Sequence, residues 1–267
     1  MELLTHLELS AASGLVHRNG FLYCVADDGL ELLRTGLNGA SPHRLALSGA
    51  PVREHIPKKE KPDFEALMNI GDEIVAIGSG STALRCRAIA INPESLARRT
   101  IDLRPLYDAL GKRIHELNIE GAVMRGDEVL LGQRGNGAKK ENALVHLDRA
   151  RLLQDFAKGA ITAECLLKIT PLELGDFNGV PLSLTDLALG PNDQLIFTAA
   201  AEATDNPYDD GVVAGSVIGT LDHGVQQVVS KPGVKLEGIC WIGTELRLVA
   251  DPDDPDARAP LYRLAWQ

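Results

Sequence analysis

The sequence predicts an all-β protein, a five-bladed β-propeller closed by its N-terminal strand, with a six-bladed ring as the alternative. Three observations lead there. Five segments share one pattern, at 12–29, 64–81, 119–137, 184–202 and 236–254. Their opening residues, Ser13, Glu65, Glu120, Thr185 and Glu237, recur at intervals of 52, 55, 65 and 52 residues. Each segment then shows two apolar runs of strand length around a short turn, and the last segment runs out of chain after one further strand.

Taken in order, each unit opens on its short or polar residue, followed by Gly, Ala or Asp and then by an apolar run rich in Val, Ile and Leu. The turns "NG", "GD", "GD", "GPND" and "GT" predict hairpins. Third strands are predicted at "LELLRTGL", "RCRAIAIN", "ENALVHLD", "GSVIGTLD" and "APLYRLAW". Fourth strands follow at "HRLALSG", "RRTIDLR", "ECLLKIT" and "VQQVVSK". Four antiparallel strands in about 50 residues is the content of a propeller blade. The N-terminal "THLELSA" can supply the outer strand missing from the last unit and leave no sheet edge open. The long third interval contains "DFAKGAITAECLLKITPLELGDFNG", read as one outer strand plus decoration, and a short helix is predicted at "RPLYDALGK" (104–112). No linker or low-complexity tract divides residues 1–267, so one domain is expected.

Composition narrows the function classes. The chain has 267 residues, a formal net charge of −10 and 45% hydrophobic residues. Such an acidic balance argues against nucleic acid or an anionic membrane as partner. It suits cations or basic ligands. Cys24, Cys86, Cys165 and Cys240 form no CxxC pair, and the histidines are scattered, so a thiolate or imidazole metal site is not expected. The start "MELLTHLELSA" lacks a basic, then apolar, leader pattern. That predicts a cytoplasmic location, or a periplasmic one if a leader precedes the given sequence. No apolar run is long enough for a membrane-spanning helix.

In a propeller the first strand of each blade lines the channel. The five openers should therefore ring one mouth, surrounded by the loops "ADDG" (26–29), "GSGST" (78–82), "GQRGNG" (132–137), "AEATDNPYDDG" (201–211) and "DPDDPD" (251–256). Glu65, Glu120 and Glu237 would converge there. Carboxylates in a narrow space protonate, recruit water or hold a cation between them, and oxygen ligands suit Ca²⁺ or another hard divalent cation. The alternative is that each glutamate only caps backbone N–H groups at a turn. The Gly after Glu120 is expected to let the chain turn into the channel wall. Arg134 and Asn136 could present a cation and an amide to an anionic group, Ser79 and Ser81 to a polar ligand, and Thr185 stands at an opener. The long loop offers Asp205, Asn206, Tyr208, Asp209 and Asp210. The reading is of a small-molecule site with an acidic mouth. Cation-dependent hydrolysis of a small ester, lactone or phosphate ester is one alternative, and a non-catalytic protein-binding scaffold another.

The stretches "DFEAL", "LNIEGAV", "LLGQRGNG" and "KLEGIC" resemble a group of uncharacterised bacterial propellers and the wider set that includes the esterase-like phytase domains. "LEGICW" is similar to the Glu-Gly-Pro-x-Trp opener of gluconolactonase and regucalcin-type propellers. That similarity implies a cation-ligating role for Glu237, and for Glu65 and Glu120 by internal repeat. Ile239 stands where that family has Pro, and its rings have six blades.

Overall fold

The computed structural model describes residues 1–49, 55–57, 59–203, 212–222 and 224–266. The chain begins with β1 (Glu2–His6). Blade 1 follows as β2 (Ala12–Arg18), β3 (Phe21–Ala26), β4 (Glu31–Gly36) and β5 (His43–Ala46). Blade 2 is β6 (Phe64–Ile70), β7 (Glu73–Gly78), β8 (Arg87–Ile91) and β9 (Arg98–Asp102), after which comes helix α1 (Arg104–Leu110). Blade 3 is β10 (Ile119–Arg125), β11 (Glu128–Gln133), β12 (Ala143–Asp148), helix α2 (Arg149–Lys158) and β13 (Leu166–Pro171). Blade 4 has a short β14 (Asp176–Phe177), then β15 (Val180–Leu189), β16 (Leu195–Ala203), β17 (Val212–Thr220) and β18 (Gln226–Pro232). Blade 5 is β19 (Lys235–Ile242), β20 (Glu245–Asp251) and β21 (Pro260–Ala265), completed by β1.

Five antiparallel sheets thus form a five-bladed ring. The long third interval holds α2 and the β14 hairpin rather than a sixth blade. Closure is by the two ends of the chain. β1 pairs with β21 from Glu2↔Arg263 to His6↔Pro260. Beyond it, Leu7 N donates to Ala259 O and Ala259 N to Leu9 O, both at 2.8 Å. The strand lies a few residues earlier than "THLELSA" predicts, because the buried Leu7 and Leu9 pack under the rim instead.

The hairpins follow their turn residues. Asn19 and Gly20 both have positive φ, 49° and 80°, the two-residue turn that matches strand twist. Gly71, Gly126 and Gly243 take the first turn position at φ of 57°, 56° and 60°. α1 lies where the sequence places it. α2 does not appear in the sequence reading. It starts at Asp148, whose carboxylate accepts from Arg151 N at 2.7 Å, and stops at Gly159 with φ 87°. Leu106, Tyr107 and Leu110 of α1 and Leu152 and Phe156 of α2 share one buried cluster with β-strand residues of blades 2 and 3. Among the described residues, no helix is long and apolar enough to cross a membrane.

Candidate functional site

Every innermost strand carries a β-bulge at its opener. The pairing register shifts between Ala12 and Leu15, Phe64 and Ala66, Ile119 and Gly121, Leu184 and Asp186, and Leu236 and Gly238. The residues skipped are the openers themselves, with Gly14 joining Ser13. A bulged residue leaves the ladder and its side chain is re-aimed. That is how Glu65, Glu120 and Glu237 occupy strands without sitting in a sheet core.

The glycine after the opener has a different task from the turn expected of it. Gly14, Gly121 and Gly238 do not adopt positive φ. A Cβ there would lie 2.8 Å from Leu67 N, 2.9 Å from Leu187 N and 2.8 Å from Ser13 O, each on a neighbouring innermost strand. Glycine lets the channel walls close on one another. In blade 4 the position is Asp186, whose buried carboxylate accepts from Leu187 N at 2.7 Å and Ile239 N at 2.8 Å and so ties β15 to β19.

Two charged clusters occupy the mouth. In the first, Glu120 and Glu237 do converge, but on a cation of the chain. Arg134 follows β11, is 5% exposed, and reaches Glu120 at 2.7 Å, Glu202 at 2.6 Å and Glu237 at 3.4 Å. Its Nε faces Ser183 Oγ at 3.3 Å. The guanidinium is therefore a buried counter-ion for the glutamates, where the sequence reading had it meeting an external anion. Lys235 lies against Glu202 at 3.2 Å, Glu237 at 3.3 Å, Asp251 at 3.4 Å and Asp253 at 2.9 Å. Two basic groups thus serve five carboxylates. Burial, offset in part by Arg134, pushes the Glu120 carboxyl up to about 8. Burial does the same to Asp251, also up to about 8, against the pull of Lys235. Glu202 is held below its ordinary value: Arg134 and Lys235 together outweigh its burial.

The second cluster is Asp27, Asp63 and Glu65. Each offers one carboxylate oxygen, and the three lie within 4.8 Å of one another, a spacing that could hold a metal ion. Asp27 follows β3, Asp63 precedes β6 with φ 56°, and Glu65 is the blade 2 opener. Asp63 is held from several sides, by Lys61 at 3.0 Å, Arg85 at 2.8 Å and Ser79 Oγ at 2.5 Å. Lys61 also pairs with Asp27. Glu65 accepts from Ser13 Oγ, but among the described residues it forms no ion pair. Burial first, then repulsion from Asp63, Asp27 and Glu120, raises its pKa well above the ordinary carboxylate value, against a smaller pull from Lys61. A cavity of about 260 Å³ opens here, lined by Asp27, Asp28 and Lys61 on one side and Lys235, Asp251 and Asp253 on the other. The loops 26–29 and 251–256 therefore border one mouth, as expected.

The remaining candidates are distributed around these clusters. Ser81 Oγ lies 2.9 Å from Ser79 Oγ and 2.7 Å from Arg85, so both serines belong to the hydrogen-bonded shell of Asp63. Thr185 Oγ1 donates to Leu236 O at 2.6 Å, a link between blades 4 and 5. Asn136 accepts from Asn118 Nδ2 at 3.4 Å, and the same nitrogen donates to Glu120 Oε1 at 2.7 Å. Asp205, Asn206, Tyr208, Asp209 and Asp210 lie outside the described residues. Sequence reasoning missed Asp27 and Asp63 as partners of Glu65, and missed Lys235, Glu202 and Asp251. Their signal was position alone: each sits at the end of a strand on the mouth side, or just beyond it.

Residues 8–265 match DUF6929, a family of unknown function. No curated protein matches the chain. Among solved structures it is similar to Myxococcus xanthus glutaminyl cyclase, at TM-score 0.55 and 12% identity over 98% of this chain and 94% of that one. The β-propeller domain of Myceliophteria thermophila Cps50 (Swd1) gives TM-score 0.49 at 10% identity, over 98% and 99% of the two chains. A luciferin-regenerating enzyme gives 0.45 at 10%, over 99% and 94%. At such identities the first likeness shows the propeller fold and nothing finer. Beyond that shared fold, these matches establish no link to the phytase or gluconolactonase propellers.

Proposed function

We propose that this chain, which belongs to the DUF6929 family, binds a divalent cation at Asp27, Asp63 and Glu65 and presents it to a small ligand in the acidic mouth. One observation carries the reading: one oxygen from each of three carboxylates lies within 4.8 Å of the others, and among the described residues Glu65 forms no ion pair, with the nearby Lys61 too weak to offset its burial and its like-charged neighbours. Asp27 and Asp63 are positioned by Lys61, Arg85 and Ser79, whereas Glu65 makes no ion pair and holds its proton well above the ordinary carboxylate value despite the pull of Lys61. A hard cation with oxygen ligands, Ca²⁺ or Mg²⁺, would satisfy it.

Calorimetric titration with Ca²⁺, Mg²⁺ and Mn²⁺ tests this. Wild type is expected to bind at one site, with affinity rising as pH rises, because the raised carboxyl of Glu65 must lose its proton to ligate. Glu65→Gln and Asp27→Asn should each weaken binding at least about tenfold, a loss of roughly 1.4 kcal/mol. Equal binding by wild type and Glu65→Gln overturns the assignment, as does no binding by wild type.

A second reading has its own observation. Burial pushes the Glu120 carboxyl up to about 8 inside the channel, and its charge helps to raise the pKa of Glu65. A carboxyl of that kind can transfer protons. Beside a cation that activates water, it would hydrolyse an ester, lactone or phosphate ester. Turnover of such a panel, abolished by chelation and by Glu120→Gln, is the expected result for that reading. Cation binding without turnover leaves a binding propeller.

A further inference from the structure

The face opposite the acidic mouth carries a separate cleft. Its walls come from the hairpin turns of blades 4 and 5, with Arg125 reaching in from the end of β10. Its volume is about 700 Å³, within the range of small-molecule sites. The chain has two tryptophans, Trp241 and Trp266, and both line it. One sits at the end of β19 and the other just past β21, and both are only partly buried against the blade 5 core. A packing role alone does not require both indoles to border the same open cleft.

The polar groups are arranged for a neutral partner. Among the described residues, Arg125 and Asp222 are the ionisable residues in the lining, and they pair with each other at 2.5 Å. The described lining thus carries no net charge to attract an ion. Trp266 Nε1 donates to Gln194 Oε1 at 3.2 Å. That engages the indole N–H and orients the Gln194 amide, whose Nε2 has no partner among the described residues. The amide of Asn192, on the same turn, is likewise unpartnered among the described residues. The local backbone is tightly built: Gly190 N donates to Gln194 O at 2.8 Å, and Asn192 adopts φ 55°.

We infer that this cleft binds a neutral saccharide. A pyranose has an apolar C–H face, which packs on an indole, and a rim of adjacent hydroxyls, which pair with planar amide, carboxylate and guanidinium groups. Trp241 and Trp266 supply the first. Asn192, Gln194 and the Arg125–Asp222 pair supply the second. This site is independent of the cation cluster, and the two readings stand or fall separately.

Because both tryptophans line the cleft, intrinsic fluorescence reports on it directly. The probes are methyl glycosides and disaccharides of glucose, galactose, mannose and N-acetylglucosamine, titrated at millimolar concentrations. At least one is expected to give a saturable change in emission. Trp266→Ala should abolish it, and the turn variants Gln194→Ala and Asn192→Ala should each weaken binding roughly tenfold. The two turn variants guard against loss of fold, which thermal melts will report. Glu65→Gln should leave the response unchanged. The inference is overturned if no probe gives a saturable response. It is equally overturned if the response survives Gln194→Ala and Asn192→Ala at full affinity, or if adenosine saturates the cleft in preference to every saccharide.

Discussion

Glu120 shows what a single residue costs and gains in this channel. Its strand removes it from water, its bulge frees it from the ladder, and Arg134 supplies a charge that it shares with Glu202 and Glu237. The compensation is partial, so its carboxyl titrates near 8, as does that of Asp251. Both folded values lie above the ordinary 4.5 and 3.8, so the folded state holds protons that the unfolded chain has released. The stability these groups contribute is complete below about pH 4 and is lost as pH rises through about 8. Glu202, held low, works in the opposite direction and only in acid. Thermal melts in chelator should therefore show the melting temperature falling from mildly acidic to mildly alkaline pH. Adding Ca²⁺ should reduce the fall. A flat profile across that window would contradict the charge balance described for the mouth.

The bulged innermost strand is the element on which the molecule is built. Repeats of opener, small residue and apolar run were legible because each blade copies the same bulge. So were the third and fourth strands and the short helix at α1, which follow from alternation and turn chemistry. Helix α2 was not, although Asp148 and Gly159 are good boundary residues. The stretch lies between two outer strands, and no repeat element marks it. The role of Gly121, which Gly238 repeats, was also misread, since close approach between blades depends on ring geometry that no local pattern encodes. Gly238→Ala puts a methyl 2.7 Å from Val249 Cγ2 and 2.8 Å from Ser13 O. It should cost about 1–3 kcal/mol in urea unfolding. Gly20→Ala is not a fair control because its φ is 80°, but Gly49→Ala, where a Cβ meets nothing within 4 Å among the described residues, should stay within about 0.5 kcal/mol.

At the scale of the whole molecule, the ring joins its own ends. Removing β1 would leave β21 with an unpaired edge and expose the rim beneath Leu7 and Leu9. A chain lacking residues 1–7 is expected to melt at lower temperature and to self-associate in sedimentation. An unchanged monomer would show that closure matters little. The same ring geometry explains why the site was only half legible. The repeat located Glu65, Glu120 and Glu237 at one mouth. It could not show which loops would return beside each of them, bringing Lys61, Asp27 and Asp63 to one and Arg134, Glu202 and Lys235 to the others. That division makes the Asp27–Asp63–Glu65 cluster the place where a cation is proposed, since its three carboxylate oxygens lie within 4.8 Å of one another. The most direct test is an anomalous difference map from crystals soaked in Mn²⁺. The account predicts a peak bounded by carboxylate oxygens of Asp27, Asp63 and Glu65. No peak there, with Glu65 bonded only to Ser13, would contradict it, as would a peak confined to the 251–254 loop.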